Sequence, residues 1–279
     1  MTVIVSLILV SAILIYALRV LFFITGSKRM RNLTTEAKKA DYSPFVSVVI
    51  PSRNEEHNIA ESVKSVAANE YPNHNYEIIA VNDRSTDKTG IVLQVMSKEI
   101  PNLKIVEITD EHSTGNLKGK PGAIQAGIDA AKGEVILMTD ADCVVRPGWI
   151  RTVVQNFSDK SVGLVPSFVI VTGIRIFEKV QAIEWIFLNT MAMAAVGWDH
   201  YLGCYGNNMS VRKEDFTKIG GYREIPFSVT EDLALLKAIK KSGRKVRYLL
   251  DYEATVYTKP VENFREYMRQ HHRWAIGGM

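Results

Sequence analysis

Hydrophobic positions along the chain fall into three regimes. The first is a nearly unbroken apolar run from Val3 to Leu18, interrupted only by Ser6, Ser11 and Tyr16, which resumes after Arg19 as Val-Leu-Phe-Phe-Ile. The run spans about 22 residues, enough for a membrane helix, which needs roughly 20. Arg19 sits near one end, where its stem can snorkel. Lys28, Arg29 and Arg31 follow, and this basic flank places everything after residue 27 in the cytosol. A cleaved signal peptide would show a basic start and a small-x-small cleavage site, and the run has neither. The pattern therefore predicts one amino-terminal transmembrane helix at 3–25, anchoring the chain in the cell membrane. A polar linker at 26–43 and a folded domain at 44–279 follow.

The second regime alternates short apolar runs with amphipathic ones. Strands are expected at Phe45-Val-Ser-Val-Val-Ile50, Tyr76–Val81, Leu103–Ile108 and Glu134–Thr139. Helices are expected from a cap at Asn54 to about Asn69, from Lys88 to about Ile100, and from Lys118-Gly-Lys-Pro-Gly-Ala123 to Ala131. Such alternation with short connections means βαβ units and a mostly parallel sheet. The third regime, 144–279, is less regular. Val162–Val171 reads as a strand. Ile174 to about Val196 reads as a helix, with Ile176, Val180, Ile183, Phe187 and Met191 at helical spacing. From Ile186 to Trp198 this helix is apolar nearly all round, broken only by Asn189; that suits core packing, a membrane contact or an acceptor path. Gly203–Met209 reads as a flexible loop. Thr230-Glu231-Asp232 opens a helix reaching about Ser242, with Ser228 or Thr230 as cap, and Arg247–Leu250 and Ala254–Tyr257 read as short strands. A last helix, Val261 to about Ala275, carries Phe264, Tyr267, Met268 and His271 on one face and Glu262, Arg265, Glu266, Arg269 and Arg273 on the other. It can lie on the bilayer surface or on the protein core. His271 and His272 are adjacent, point apart, and make a poor metal pair.

Composition narrows the classes little. At 279 residues the chain has ample core for one large α/β domain or two small ones. The formal charge of +4 is mild, no basic stripe with interleaved aromatics occurs, and no nucleic-acid partner is expected. Cys143 and Cys204 lack metal-type spacing and read as reduced thiols.

Chemistry concentrates after the strands. The run Glu-Val-Ile-Leu-Met-Thr ends in Asp140 and Asp142, one residue apart. Two carboxylates at the carboxyl end of a parallel strand make a hard oxygen site suited to Mg²⁺ or Mn²⁺, and such ions suit a diphosphate. Glu55, Asp83 and Lys120 follow the other strands, and those ends converge on one edge. Carboxylates there can accept from a base and ribose, and Lys120 with a helix amino terminus can hold phosphate. Neither a Gly-x-Gly-x-x-Gly nor a Walker loop occurs, so a metal rather than a glycine cradle is expected to handle the phosphates.

Six segments in order then resemble the inverting glycosyltransferases of family 2, with the GT-A fold. They are Val-Val-Ile-Pro-Ser-Arg-Asn-Glu-Glu (48–56), Asn-Asp-Arg-Ser-Thr-Asp (82–87), Lys-Pro-Gly-Ala-Ile-Gln-Ala-Gly (120–127), Asp-Ala-Asp (140–142), Thr-Glu-Asp (230–232) and Gln-His-His-Arg-Trp (270–274). The last is similar to the Gln-x-x-Arg-Trp motif of membrane-bound cellulose, chitin, hyaluronan and poly-N-acetylglucosamine synthases and of lipid-directed relatives. The resemblance implies an α/β, Rossmann-like GT-A domain with a nucleotide-binding half, 44–143, and an acceptor half, 144–279. It implies that Glu55 and Asp83 hold the base, that Lys120 contacts base or phosphate, and that Asp140 touches ribose and metal. Asp142 would coordinate the metal, Asp232 would be the general base, and Gln270, Arg273 and Trp274 would sit at diphosphate and acceptor. The implied reaction moves a sugar from a nucleotide-diphosphate sugar, UDP-linked by the resemblance, to a lipid or glycan with inversion. The Arg84 and Pro121 positions depart from the family's usual Asp-Asp-Gly-Ser and Ala-Gly-Ala-Leu-Asn. The chain stops at Gly277-Gly278-Met279, where many membrane relatives continue into membrane helices; either it is a piece of a longer protein or the enzyme secretes no polymer. A sugar nucleotidyltransferase would need a glycine-rich basic loop after the first strand, which Pro51-Ser-Arg-Asn-Glu-Glu56 is not. A catalytically silent membrane subunit would not need intact Asp142 and Asp232.

Overall fold

The structure, a computed structural model, describes residues 2–37, 41–109, 117 and 119–278. Lys118, expected in a helical opening, lies outside the described residues, as do 38–40 of the expected linker. In chain order the elements are α1 (Thr2–Ala37), β1 (Val46–Ser52), α2 (Ile59–Ala67), β2 (Tyr76–Asp83), α3 (Thr89–Glu99), β3 (Leu103–Ile108), α4 (Lys120–Ala130), β4 (Val135–Thr139), β5 (Cys143–Val145) and α5 (Trp149–Val154). They continue as β6 (Val162–Pro166), β7 (Val169–Val171), α6 (Ile176–Gly197), β8 (Asn208–Arg212), α7 (Lys213–Lys218), α8 (Glu231–Lys241), β9 (Lys245–Val246), β10 (Val256–Thr258) and α9 (Phe264–Gly278).

The main sheet has the order β3-β2-β1-β4-β8-β6-β9. β1, β2, β3 and β4 run parallel, and β8 is antiparallel to both neighbours. Alternate residues of the central strands feed opposite cores: Val46, Val48 and Ile50 pack with Trp149 and Phe157, whereas Val49, Ile79 and Met138 pack with Ile124, Leu236 and Tyr248. Burial on both faces explains the near-continuous apolar runs. Strand order reverses between β1 and β4, and open sheets place their ligand crevice at such a point. Because β8 is antiparallel, its start meets the end of β4, with Asn208 opposite Thr139.

A second sheet, β5-β10-β7, begins three residues beyond β4. The Asp140–Asp142 link is therefore held at both ends, by one sheet before it and another after it. The apolar run Val162–Val171 is not one strand. It leaves the main sheet after Pro166 and joins the second at Val169, with the Ser167 and Phe168 amides bonded to the Asn208 and Leu249 carbonyls at the corner. The segment expected as a strand at Arg247–Leu250 runs beside β6 past β9 without forming a regular strand: the Arg247 and Leu249 amides donate to the Leu164 and Pro166 carbonyls, and Ser167 and Leu249 form an isolated bridge. Asn54 does not cap a helix. It sits in the left-handed region at φ 58°, its side chain accepts from the Thr86 amide at 2.8 Å, and α2 starts only after Asn58. The same turn is stapled to the one after β2 by Glu55 N–H to Thr89 Oγ1 at 2.8 Å, Glu56 N–H to Asp87 Oδ2 at 3.1 Å and Lys88 N–H to Glu56 Oε2 at 2.9 Å.

α1 and α6 are both long and apolar enough to cross a membrane by length and composition. From Val3 to Leu21 α1 is exposed, whereas half of α6 is buried. The polar stretch expected as a linker is helical to Ala37, because Gly26, Met30, Thr34 and Ala37 recur at helical spacing and are buried on the domain. Trp198 donates its indole N–H to the Phe22 carbonyl at 3.0 Å and stacks on that ring. Gly26 and Gly197 let the two backbones touch: a Cβ on Gly26 would collide with the Ala194 carbonyl, and one on Gly197 with that of Gly26. Gly197→Leu is expected to cost about 2 kcal/mol or more through overpacking against backbone that has no rotamer to yield. Thermal unfolding in detergent checks this, with exposed Ile13→Leu as the neutral control.

Candidate active site

A cleft of about 1000 Å³ opens at the β1/β4 edge. Its wall includes Lys120, Asp140, Asp142, Glu231, Asp232, Gln270, Arg273 and Trp274, so the cleft collects seven of the nine residues singled out from sequence. Glu55 and Asp83 stand outside this lining. Asp83, the last residue of β2, is buried and accepts from Arg84 Nε at 2.7 Å. Glu55, in the turn after β1, accepts from Asn58 Nδ2 at 2.8 Å. Burial raises its pKa, and Asp142 and Asp140 raise it further, so it borders the pair.

Lys120 enters on the first turn of α4, which Gly119 allows by turning at φ 67°. Its ammonium lies 2.6 and 2.7 Å from the two Asp140 oxygens and 3.5 Å from Glu231 Oε1. Burial works to lower its pKa, but attraction to Asp140, Glu231 and Asp232 outweighs burial and holds it well above the usual range. One lysine thus serves three carboxylates, and its charge also eases a fourth, Asp142. Asp142 is pushed up by burial first and by Asp140 second.

Across the cleft Asp232 lies in the first turn of α8. Its oxygens accept from the Leu233 amide at 2.7 Å and the Gly206 amide at 3.0 Å. Burial and then Glu231 raise it from 3.8 to about 6, against the pull of those amides and Lys120. No side-chain cap forms at Thr230; its amide instead donates to Ser228 Oγ at 3.2 Å. The stretch Gly203–Met209 is not a loose loop. Cys204, Gly206, Asn207 and Asn208 are buried, and Asn208 ties three segments by donating to the Phe168 and Ala254 carbonyls and accepting from the Trp149 indole at 3.1 Å. A buried polar loop is tolerated only when its groups are paired in this way. Asn189, the polar break in α6, bonds the Val169 backbone on both sides and Tyr248, so it is a structural joint.

The far wall is aromatic. Trp185 of α6 packs on Tyr205 at 4.7 Å and on Trp274 at 5.6 Å between centroids. Glu231, Tyr205 and Trp185 received no site role from sequence. Glu231 was visible in the Thr-Glu-Asp motif; the aromatics were hidden in an apolar helix and a loop.

Among the described residues no group of three or more His, Cys, Asp or Glu is disposed as a ready metal cage. The donor set nevertheless fits a divalent cation held jointly with substrate. Mg²⁺-type ions use one or two carboxylates plus substrate phosphates, and Asp142 is a crowded carboxylate with raised pKa that a cation would relieve.

A mixed, mostly parallel sheet with this switch point and a carboxylate-lined crevice defines the GT-A class of glycosyltransferase folds. Solved structures agree on the fold. A mannosyltransferase from Pyrobaculum calidifontis, solved with GDP-mannose and Mn²⁺, superposes with a TM-score of 0.66 at 21% identity, covering 93% of this chain and 71% of its own. Staphylococcus aureus TarS residues 1–349 with UDP-GlcNAc gives a TM-score of 0.54 at 19% identity, covering 78% and 59%. The model of glycosyl transferase family 21 matches residues 4–276, and the chain belongs to that family. The motifs had suggested family 2. Similar curated proteins include beta-monoglucosyldiacylglycerol synthase from Nostoc sp. PCC 7120, 30% identical over 242 residues, 84% of this chain and 49% of that protein. The probable glycosyltransferase YdaM of Bacillus subtilis is 28% identical over 88% of this chain and 58% of its own length. The chain thus spans about half the length of the curated relatives it matches.

Proposed function

We propose that this chain transfers a sugar from a nucleotide-diphosphate donor to the hydroxyl of a lipid or glycan acceptor, inverting the anomeric centre. The observation that carries the reading is the opposition of two carboxylate sets in one cleft. Asp140 and Asp142 lie at the end of β4 and the amide-held Asp232 on α8, with Lys120 between them and the Gln270, Arg273 and Trp274 helix at the rim. Asp142, with Asp140, would hold a Mg²⁺ or Mn²⁺ ion, which when bound neutralises charge on the leaving diphosphate. Arg273 adds a fixed guanidinium to that charge, and Gln270 and Trp274 border the acceptor side. Asp232, ionised, accepts the proton of the acceptor hydroxyl as that oxygen attacks. Attack from the face opposite the diphosphate breaks the donor's glycosidic bond in one displacement. Asp83 and Glu55, beside the cleft, would hold the base.

The relative named beta-monoglucosyldiacylglycerol synthase supports a lipid acceptor, exposed α1 supports a membrane anchor, and the basic flank Lys28, Arg29 and Arg31 supports a cytosolic domain at such lipids. Proton NMR of the product made from an α-linked donor tests the reading: a β-linked product is expected, and a retained α linkage sinks it. Transfer should also rise with pH through about 6 as Asp232 ionises. A rate independent of pH from 5 to 8, under conditions where chemistry limits turnover, would remove Asp232 from the base role.

A further inference from the structure

The helix that carries Gln270, Arg273 and Trp274 meets α6 through one polar contact set inside an aromatic cluster. Glu184 is an acid in the middle of an otherwise apolar stretch of α6, where an unpaired carboxylate is costly. Its Oε2 accepts from the Tyr267 hydroxyl at 2.7 Å, and its Oε1 lies 2.7 Å from His271 Nε2. The other ring nitrogen, Nδ1, lies 2.8 Å from the Tyr267 carbonyl. Both nitrogens therefore face oxygens that only accept. A neutral imidazole donates from one nitrogen and turns a lone pair on the other; only the imidazolium donates from both. Aromatic contacts surround the pair: Tyr267 at 4.0 Å and Trp274 at 5.0 Å from the His271 ring, and Phe177 against Tyr267 at 5.6 Å.

We infer that Glu184 and His271 are positioning residues that latch α9 over the cleft in a proton-dependent way. With His271 cationic, both of its nitrogens and both Glu184 oxygens are matched. When the ring gives up its proton, one nitrogen opposes an oxygen and α9 loosens, carrying Gln270, Arg273 and Trp274 away from the cleft. Among the described residues, the groups facing the ring are Glu184 from α6 and Tyr267 and Trp274 from α9 itself. On the third element packed here, the loop before β8, the titratable side chains are Tyr205, which packs on Trp274, and the buried Cys204. Burial and then Glu184 push Tyr267 up to about 12, and burial and then Asp232 hold Tyr205 higher still, so neither phenol ionises where a histidine does. The catalytic consequence rests on the transferase reading above; the latch itself does not.

The test reads amide hydrogen exchange of α9 in the full chain in detergent, corrected for intrinsic rates, beside turnover. In the wild type, protection of α9 should fall about tenfold from pH 6 to pH 9, and kcat, after its rise with the ionisation of Asp232, should fall over the upper part of that range. Glu184→Gln offers a donor to a neutral Nε2 and an acceptor to Tyr267, so it should keep α9 protected at pH 9. Glu184→Ala should leave α9 weakly protected at both pH values. Wild-type protection that does not change with pH overturns the proposal, as does a Glu184→Gln variant that loosens with pH like the wild type. If protection follows the expected pattern while no donor is ever turned over, the latch stands and the transferase reading falls.

Discussion

Asp232→Asn should cut sugar transfer by about 10²–10⁴-fold, the range general-base removal typically costs. The same change should make the folded chain more stable at pH 7. The carboxyl has been raised from 3.8 to about 6 by burial and by Glu231. The folded state therefore holds this proton more tightly than the unfolded chain does. The stability that goes with the proton is fully present below 3.8 and is lost as pH rises through about 6. At 1.36 kcal/mol per pH unit the loss at pH 7 is capped near 3 kcal/mol, and is smaller because the side chain faces the cleft. An amide never charges and so avoids this cost, although it turns a donor toward either the Gly206 or the Leu233 amide. Thermal melts of both proteins from pH 4 to pH 8 should converge at the acid end, separate between about 4 and 6, and stay apart above that. A variant that loses activity but gains no stability at pH 7 would mean that Asp232 is not held at a cost for its chemistry.

Asp142→Asn is expected to have the other large effect, a loss of about 10³-fold in kcat/KM with the dependence on Mg²⁺ or Mn²⁺ largely gone, consistent with several kcal/mol of charge stabilisation removed from a leaving diphosphate. The fold should tolerate it. Asp142 accepts a weak contact from Cys143 Sγ at 3.4 Å and a bond from its own backbone amide, and its pKa is raised by burial and by Asp140, so the carboxylate is not held in a structural ion pair. Asp140 is different, because Lys120 grips both its oxygens. Asp140→Asn should therefore disturb Lys120 and Glu231 as well, and is the less clean probe. Titration of binding by a nucleoside diphosphate, with and without metal, separates the two variants.

The parallel half of the sheet was legible because its strands are buried on both faces and show it as apolar runs such as Ile136–Met138. The carboxylates after β4 and at the start of α8 were legible because each follows a strong local boundary. What the sequence hid depends on partners far along the chain. Asn54 looks like a helix cap until Thr86, 32 residues later, claims its side chain. The run Val162–Val171 reads as one strand because periodicity carries no sign of a change of sheet. Residues 26–37 read as a polar linker because the burial of Gly26, Met30 and Thr34 is owed to the domain they pack on. Glu184 and His271 are 87 positions apart, and only the crossing of α6 and α9 makes them a pair.

The central claim is that the carboxylate cleft turns over a nucleotide-diphosphate sugar. It is tested most directly by release of nucleoside diphosphate from a panel of UDP- and GDP-sugars by the lipid-reconstituted chain. The assay is run with a diacylglycerol acceptor, in Mn²⁺ or Mg²⁺ and again in chelator. Release from one donor, stopped by chelator and by Asp232→Asn, is the predicted result. No release from any donor, together with no metal-dependent binding of the nucleoside diphosphates themselves, would contradict the account at Asp140 and Asp142.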